Sequence, residues 1–115
     1  MGFKKVTAIV RSASLEKVEQ RLQDLGVRGL TVTHVKGFGE YANFFRHDWL
    51  VMHERIEIFT DEAMAEVIVA AIIDVAHTGT AGDGVIAVLP VEEFVRIRTG
   101  ASALGDAGLA GASPV

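Results

Sequence analysis

The stretch best suited to hold a ligand is a polar, glycine-spaced loop at residues 78–84, Thr-Gly-Thr-Ala-Gly-Asp-Gly. Its glycines allow positive φ angles and let the backbone come close to a ligand. Successive N–H groups in such a turn can point into one concavity and bind a phosphate. The same composition is also typical of a plain connector between a helix and a strand. The loop therefore needs a second feature before it indicates a site.

Two arginines a short distance downstream provide that second feature. Arg96 and Arg98 lie two apart in the segment Val-Arg-Ile-Arg-Thr-Gly, residues 95–100. On a strand they would share one face, and paired guanidinium groups near a glycine-rich turn suit a polyphosphate. Alternatively, the two arginines could protect an edge strand from pairing with another chain or form ion pairs on the surface.

The hydrophobic patterns predict the elements that would position these groups. Strands are expected at residues 5–10, 30–38, 51–60 and 85–90, with a further short strand at 94–99 that carries the arginines. One helix is expected to begin after an N-cap at Ser14 and to end at Gly26, and a second to begin after Asp61. Each helix has an apolar face, which comprises Leu15, Val18, Leu22 and Leu25 in the first and Met64, Val67, Ile68, Ala71, Ile72 and Val75 in the second.

The order β-α-β-β-α-β with an extra short C-terminal strand predicts an α+β fold of the ferredoxin-like type, with both helices on one face of an antiparallel sheet. The last long strand is apolar on both faces, since Val85, Ala87 and Leu89 alternate with Ile86 and Val88. Both faces of that strand therefore need cover, and neighbouring subunits are the simplest source. The sequence predicts an oligomer.

Composition bounds the class of protein. The 115 residues, 50% of them hydrophobic, fit one domain with a core, expected at residues 1–100, followed by a flexible Gly/Ala/Ser-rich tail at 101–115. A formal net charge of −4 gives no reason to expect nucleic-acid binding. The absence of cysteine excludes a disulfide framework and suits a reducing cytoplasm. We see no signal peptide or apolar run long enough to span a membrane, so a cytoplasmic protein without membrane insertion is expected.

Metal binding and catalysis are the competing chemistries. The four histidines, His34, His47, His53 and His77, are spread over two strands, a loop and a helix end without close ligand spacing, so no metal site is predicted. His53, beside Glu54, is the best candidate for a pH-sensitive ligand contact. Asp83 or Glu40 could serve as a base for slow nucleotide hydrolysis, but no nucleophile stands in a recognisable motif. Asp83 between two glycines is also typical of a residue that bonds its own turn. We do not expect an enzyme.

Three separated motifs carry a resemblance to a known family. Residues 31–39 (Thr-Val-Thr-His-Val-Lys-Gly-Phe-Gly), 78–84 and 95–100 together resemble the PII signal-transduction family in order and spacing. The resemblance implies a homotrimer of ferredoxin-like subunits with an adenine nucleotide in each intersubunit cleft. It also implies regulation, not catalysis, through a mobile loop that contacts a target transporter or enzyme. That loop, the T-loop, corresponds here to residues 40–50, whose four aromatic side chains would otherwise pack on their own domain.

The resemblance assigns roles position by position. The nucleoside would be lined by Ile9, Thr31, Gly37, Phe38, Gly39 and Phe59. The phosphates would be held by backbone N–H groups of Gly82, Asp83 and Gly84, and by Arg96 and Arg98 across the subunit boundary.

The departures from the family pattern concern charge and the second ligand. The T-loop is shortened, and Glu40 and Val85 stand where the family carries cations that face the phosphates. Tyr41 and His53 replace the glutamine and lysine with which the family holds magnesium and 2-oxoglutarate. We therefore expect ADP or AMP to bind at least as well as ATP.

The same losses suggest a different second ligand. A small co-ligand such as bicarbonate is expected near Tyr41 and His53, as in short-loop members associated with bicarbonate uptake and carboxysomes. The alternatives are a nitrogen-regulatory PII that senses ATP and 2-oxoglutarate, a slow nucleotide hydrolase, and a structural trimer that has lost its ligand.

Overall fold

The computed structural model describes residues 2–35 and 52–102. The expectations for Gly37, Phe38, Gly39, the shortened loop at 40–50 and most of the tail lie outside these residues. The described elements are β1 (Phe3–Arg11), a 3-10 turn (Ser12–Ser14), α1 (Leu15–Asp24), β2 (Thr31–Val35), β3 (His53–Asp61), α2 (Glu62–Ala76) and β4 (Gly84–Val91).

The four strands form one antiparallel sheet in the order β2-β3-β1-β4. β1 is central and pairs with β3 from Phe3 opposite Asp61 to Arg11 opposite His53. On its other side β1 pairs with β4, from Val10 opposite Gly84 to Phe3 opposite Val91. With two helices on one face of this sheet, the predicted ferredoxin-like α+β fold is confirmed.

The core lies between the sheet and the two helices. Alternate residues of β1 and β3 point into it and are buried, which the period of two predicted; they include Val6, Ala8, Val10, Ile56 and Ile58. The helices contribute Val18, Leu22, Ile68 and Ile72 to the same cluster. The other face of the sheet carries the charged partners Lys5, Glu57 and Arg55.

Two helix ends lie where the sequence predicted them. Gly26 has φ 91°, and the N–H groups of Gly26 and Val27 donate to the carbonyls of Gln23 and Leu22. This is the predicted glycine-terminated end, in the form of a Schellman motif. Asp61 caps α2 as predicted, because its Oδ1 accepts a hydrogen bond of 2.7 Å from the Met64 N–H.

One prediction about the helices is confirmed only in position, and another is wrong. Ser14 is the N-cap residue of α1, as predicted, but it makes no side-chain cap bond, because the 3-10 turn before it already holds its backbone in the helical region. Val67 is 44% exposed. It lies outside the line of buried α2 residues, which runs through Ala65, Ile68, Ile72 and Ala76.

The predicted strand at 94–99 is also wrong. Val95 forms only an isolated bridge with Ser102, and residues 97–99 form a turn. The N–H of Gly100 donates to the Arg96 carbonyl at 2.7 Å, and Gly100 has φ 69°. The segment therefore curls back on itself, so Arg96 and Arg98 do not share one face of an extended strand.

Phe94 attaches this segment to the sheet. Its ring lies 5.1 Å from the ring of Phe3 and 5.0 Å from that of Phe59, measured between centroids. The three rings form a small apolar cluster with Val91, separate from the main core. None of the helices in residues 2–35 and 52–102 is long and apolar enough to cross a membrane.

The start of β4 depends on a glycine. A Cβ at Gly84 would lie 1.7 Å from the Ile9 carbonyl oxygen, and its φ is 108°. We expect Gly84→Ala to lower the free energy of unfolding by about 3 kcal/mol or more, since backbone strain and a clash with backbone add together. Urea denaturation at fixed protein concentration measures the change.

Gly26→Ala is the matched control for this substitution. Gly26 also has a positive φ of 91°, but nothing lies within 4 Å of an added Cβ. Gly26→Ala should lower the free energy of unfolding by the backbone strain alone, about 1 to 2 kcal/mol. Equal costs for the two variants would show that the contact with Ile9 imposes no constraint.

Candidate functional site

The Asp83 carboxylate organises the loop at 78–84. It accepts hydrogen bonds from the N–H groups of Thr78 at 2.8 Å and Gly79 at 2.9 Å, and a further bond from the Thr78 hydroxyl. The bonds from Thr78, its hydroxyl first, lower the pKa of Asp83 from 3.8 to about 2. Asp83 therefore bonds its own turn, and a carboxylate of such low pKa is a poor general base at neutral pH.

Positive φ angles occur at the three glycines of the loop, as its composition predicted. They are 84° at Gly79, 94° at Gly82 and 108° at Gly84. Residues 81 and 82 form a turn that the Asp83 N–H closes on the Thr80 carbonyl, whereas no described residue accepts a hydrogen bond from the N–H groups of Ala81 or Gly82. The middle of the loop thus keeps backbone donors available for an anion.

Arg11, the last residue of β1, is a site residue that the sequence reasoning missed. Its guanidinium donates to the Ala81 carbonyl at 2.7 Å and to the Thr80 hydroxyl at 3.1 Å. Its Nε also lies 3.6 Å from Asp83 Oδ1. The sequence carried one usable signal, since Arg11 is a cation that directly follows the strand predicted at residues 5–10.

His53, the first residue of β3, lies below the same loop. Its side chain is buried, 2% exposed, and its Nε2 lies 3.0 Å from the Gly82 carbonyl oxygen. The predicted contact between His53 and a co-ligand is not tested by this arrangement. The structure gives the ring a neighbour that was not predicted, the glycine loop itself.

A second carboxylate joins three strand ends at this side of the sheet. Glu54 Oε2 accepts a hydrogen bond of 2.5 Å from the Ser12 hydroxyl and lies 2.7 Å from His34 Nδ1. The bonds to Ser12 and then to His34 lower the pKa of Glu54. The Ser12 N–H also donates to the Met52 carbonyl at 2.9 Å. β1, β2 and β3 are therefore tied together where residues 36–51 leave and return.

A hollow of about 290 Å³ lies beside the loop, between the end of α2 and the start of β4. Its lining includes Ile9, His77, Asp83 and Val85. A larger hollow of about 560 Å³ lies between the start of α2 and Val88, away from the loop, and its lining is mostly apolar. The smaller hollow is the one beside the groups that can bind an anion.

The predicted nucleoside residues do not all meet in one chain. Ile9 lies next to the glycine loop, because it precedes Val10, the partner of Gly84. Phe59 pairs with Lys5 and contacts Phe94 towards the opposite end of β1. Thr31 is exposed on β2, opposite Glu57.

The loop and the arginine pair are likewise far apart in one chain. The loop meets β1 at Val10, whereas the segment that carries the arginines is attached at Phe3. Seven residues of strand separate these two points, which corresponds to about 23 Å. One chain alone therefore does not bring Arg96 and Arg98 to its own glycine loop.

Comparison with known proteins identifies the family. The family described as nitrogen regulatory protein P-II matches residues 3–101. The chain is 40% identical over 112 residues to the nitrogen regulatory protein P-II of Azospirillum brasilense, an alignment that covers 91% of this chain and 99% of that protein. It is 38% identical over 109 residues to the protein of the same name from Rhizobium meliloti, covering 89% and 97%.

A solved structure agrees with these relatives. Arabidopsis thaliana PII, in a crystal structure bound to citrate, superposes with a TM-score of 0.73 at 40% identity and covers 88% of each chain. This chain belongs to the nitrogen regulatory protein P-II family. The resemblance of the three motifs is thereby confirmed, and the protein is a regulatory protein of the PII type.

The low pKa of Asp83 predicts how acid affects stability. A carboxylate whose pKa falls from 3.8 to about 2 on folding stabilises the fold above pH 3.8, and this contribution is lost as the pH falls towards 2. The melting temperature of Asp83→Asn should therefore lie below that of the wild type at pH 7. The difference between the two melting temperatures should narrow between pH 4 and about pH 2. Thermal melting monitored by circular dichroism at several pH values measures this.

Glu66→Gln is the control for the loss of one carboxylate. Glu66 is exposed on α2 and makes no hydrogen bond or ion pair with another described residue. Its substitution should leave the melting temperature nearly unchanged at each pH. A difference between wild type and Asp83→Asn that stayed constant from pH 7 to 2 would contradict the role given to the ionised carboxylate.

Proposed function

We propose that this protein is a PII-type sensor that binds adenine nucleotides in clefts between the subunits of a homotrimer. The observation that carries the proposal is that the glycine loop and the arginine segment attach to β1 at Val10 and Phe3, points that lie about 23 Å apart along the strand. Both features suit phosphate, yet one chain does not bring them together. A cleft in which the loop of one subunit meets Arg96 and Arg98 of the next would contain both.

Exposed apolar surface supports the assembly. β4 is an edge strand of the sheet, and its Val85, Val88 and Leu89 are 37%, 45% and 43% exposed. An exposed apolar edge strand is a liability that proteins normally cover. Contact with a neighbouring subunit along this strand would cover it and place a second chain beside the glycine loop.

The geometry of the loop supports a role in holding phosphate. The N–H of Gly82 has no acceptor among the described residues, whereas the N–H of Asp83 closes the turn at 81–82. Gly84 is the first residue of β4 and lies opposite Val10. Of the three predicted positions, Gly82 is thus the strongest candidate for a phosphate contact, and Gly84 would act by keeping the loop close to Ile9.

The nucleotide preference follows from the charges beside the loop. Val85 follows Gly84 where the family carries a lysine, and its side chain offers no charge to a terminal phosphate. Arg11 is near, but its guanidinium is engaged with Ala81, Thr80 and Asp83. We therefore propose ADP or AMP as ligands at least as good as ATP.

The second ligand is proposed to be a small anion such as bicarbonate. In the family, a glutamine and a lysine hold magnesium and 2-oxoglutarate. Tyr41 and His53 stand at these two positions here, so both contacts would be lost. The buried Nε2 of His53 faces Gly82 and is a poor substitute for a lysine that extends towards a dicarboxylate. Residues 40–50 would carry the response to a target transporter or enzyme.

The alternative second ligand is 2-oxoglutarate, sensed together with ATP. It is favoured by the name of the curated relatives, nitrogen regulatory protein P-II. Slow nucleotide hydrolysis is less well supported, because Asp83 is held as an ionised turn residue by Thr78 and Gly79.

Calorimetry with ADP, AMP and ATP tests the nucleotide proposal. We expect ADP and AMP to bind at least as tightly as ATP, to a particle of about 37 kDa by light scattering, three times the 12.3 kDa of one chain. Arg98→Ala should weaken all three nucleotides about tenfold to a hundredfold, because a hydrogen bond to a charged group contributes about 1.5 to 3 kcal/mol.

Arg28→Ala is the control, because Arg28 is exposed in the turn between α1 and β2. It should leave the affinities unchanged. A monomer at micromolar concentration, or no nucleotide binding at all, would overturn the intersubunit site. ATP binding tenfold tighter than ADP would show that other groups replace the missing cations.

The second ligand is tested by ADP titrations with and without bicarbonate, at fixed pH and ionic strength. Bicarbonate should change the affinity for ADP and the rate at which protease cleaves within residues 36–51, because both ligands are proposed to act on that segment. The matched titration uses ATP with magnesium and 2-oxoglutarate. A response to 2-oxoglutarate with none to bicarbonate would establish the nitrogen-regulatory alternative.

A further inference from the structure

We infer that Phe94 is a positioning residue, which holds Phe59 and the turn that carries Arg96 and Arg98 as one preassembled half of the proposed nucleotide cleft. The inference deepens the proposed function and rests on its assignment of Phe59 to the nucleoside and of the two arginines to phosphate. Phe94 is not among the residues predicted from the sequence to bind a ligand. The claim concerns how the binding groups are held, since Phe94 itself is not proposed to contact the nucleotide.

The Phe94 ring packs against two strands at once. Its centroid lies 5.1 Å from that of Phe3 on β1, with the two ring planes at 61°. It lies 5.0 Å from the centroid of Phe59 on β3, with the planes at 53°. Both pairs have the tilted geometry in which aromatic rings attract each other. Phe3 is buried and Phe59 half-buried in this cluster, so the ring of Phe94 fixes the chain after β4 to the sheet.

The three rings lie on the face of the sheet that the helices leave open. The even-numbered residues 6, 8 and 10 of β1 join the core under the helices, so the odd-numbered positions of that strand face the other way. Phe59 is opposite Lys5, whose ammonium group lies 5.9 Å from the centre of the Phe59 ring. Thr31 of β2 is paired with β3 two residues before Phe59. Phe94 therefore contacts one end of the surface that carries the predicted nucleoside residues Thr31 and Phe59.

The arginines follow Phe94 closely, in a turn that its own backbone closes. The Arg96 N–H donates to the Ala101 carbonyl at 3.1 Å, and the Arg96 carbonyl accepts from the Gly100 N–H at 2.7 Å. Two residues of chain span at most about 7 Å, so the packed ring limits where Arg96 can lie. The turn then limits where Arg98 can lie relative to Arg96.

The turn is mostly exposed to solvent. Ile97 is 99% exposed and Val95 is 45% exposed, and Arg98 is exposed as well. The backbone hydrogen bonds close the turn on itself but do not determine where it lies on the sheet. Packing of the Phe94 ring does, because it joins the segment to β1 and β3. Without the ring, the arginines would keep their turn but lose their fixed distance from Phe59.

Limited digestion of the full-length protein with trypsin tests the anchor without any ligand. A protease needs an extended stretch of chain, so cleavage after Arg96 and Arg98 reports how often the segment leaves the sheet. Cleavage of Phe94→Ala at these sites should be about tenfold faster than in the wild type, or more, because the packed ring is lost. Phe94→Tyr keeps the ring and should be cleaved at nearly the rate of the wild type. Cleavage after Arg28, in the exposed turn between α1 and β2, should not change.

Val69→Ala is the control for a general loss of stability. Val69 lies in the middle of α2 and packs against the main core, on the other face of the sheet from Phe94. Its substitution should not raise cleavage after Arg96 and Arg98 relative to cleavage after Arg28. An equal increase at all three arginines in Phe94→Ala would show that the ring supports the fold as a whole, and would overturn the inference.

Calorimetry with ADP tests the positioning role. Phe94→Ala, shown to be folded by circular dichroism, should bind ADP about tenfold more weakly than the wild type, and Phe94→Tyr should restore the affinity to within about twofold. Because Phe94 acts through the arginines, Arg98→Ala should weaken ADP binding by no more than about threefold when Phe94 is already alanine. A ring that contributed only to stability would leave the effect of Arg98→Ala as large as it is in the wild type.

The outcomes distinguish this inference from the proposed function. If the wild type binds no adenine nucleotide but Phe94→Ala is cleaved faster after Arg96 and Arg98, the proposed function fails and the anchoring of the turn stands. If the wild type binds ADP, but folded Phe94→Ala binds ADP within about twofold of it, the inference fails and the proposed function stands. Cleavage after Arg96 and Arg98 that is no faster in Phe94→Ala than in the wild type would also overturn the inference.

Discussion

The close approach of Gly84 to the Ile9 carbonyl is the constraint on which the site depends. No side chain fits in this space, so β4 can begin only at a glycine with positive φ. The start of β4 fixes where the preceding loop must end. Asp83 is then placed to turn its carboxylate back to Thr78 and Gly79, and Gly82 is placed over Arg11. The backbone contact at Gly84 therefore fixes the end of the loop, and the bonds of Asp83 and Arg11 hold the rest.

Two charged side chains, Asp83 and Arg11, stabilise the loop. Asp83 closes the loop from within through bonds to its own backbone, and Arg11 approaches it from the sheet. A few residues away, Glu54 joins Ser12, the first residue of the 3-10 turn after β1, to His34 of β2. Hydrogen bonds to ionised carboxylates are stronger than those between neutral groups, and the pKa of each carboxylate is lowered. Both carboxylates are accordingly ionised at neutral pH.

Much of the fold could be predicted because the signals for it are local. The period of two in β1 and β3, the glycine after α1 and the Asp61 cap each depend on residues close in sequence, and each is confirmed. The strand at 94–99 failed because alternation alone does not provide a partner. The described part of that segment pairs with itself around Gly100 instead of joining the sheet.

The parts of the site that the sequence did not reveal depend on contacts between distant residues. Arg11 and Ala81 are 70 positions apart, and His53 and Gly82 are 29 apart. Only the pairing of β1 with β3 and β4 brings them together. His53 was interpreted as a candidate ligand contact because its neighbour in the sequence, Glu54, is charged, and nothing local indicates that the histidine side chain is buried. The loop was recognisable from its own composition, but the side chains that hold it were not.

The charges near the loop suggest how ligand binding and assembly would be linked. Within one chain, the positive charge of Arg11 is offset by Asp83, 3.6 Å away, and Val85 adds none. The loop can then offer oriented N–H groups but little net positive charge to a phosphate. In the proposed trimer, that charge would come from Arg96 and Arg98 of the adjacent subunit. A ligand that needs groups from two chains stabilises their contact by the free energy with which it binds. Occupancy of the cleft and association of the subunits would therefore be linked, and a nucleotide sensor built this way would report through the interface as well as through residues 40–50.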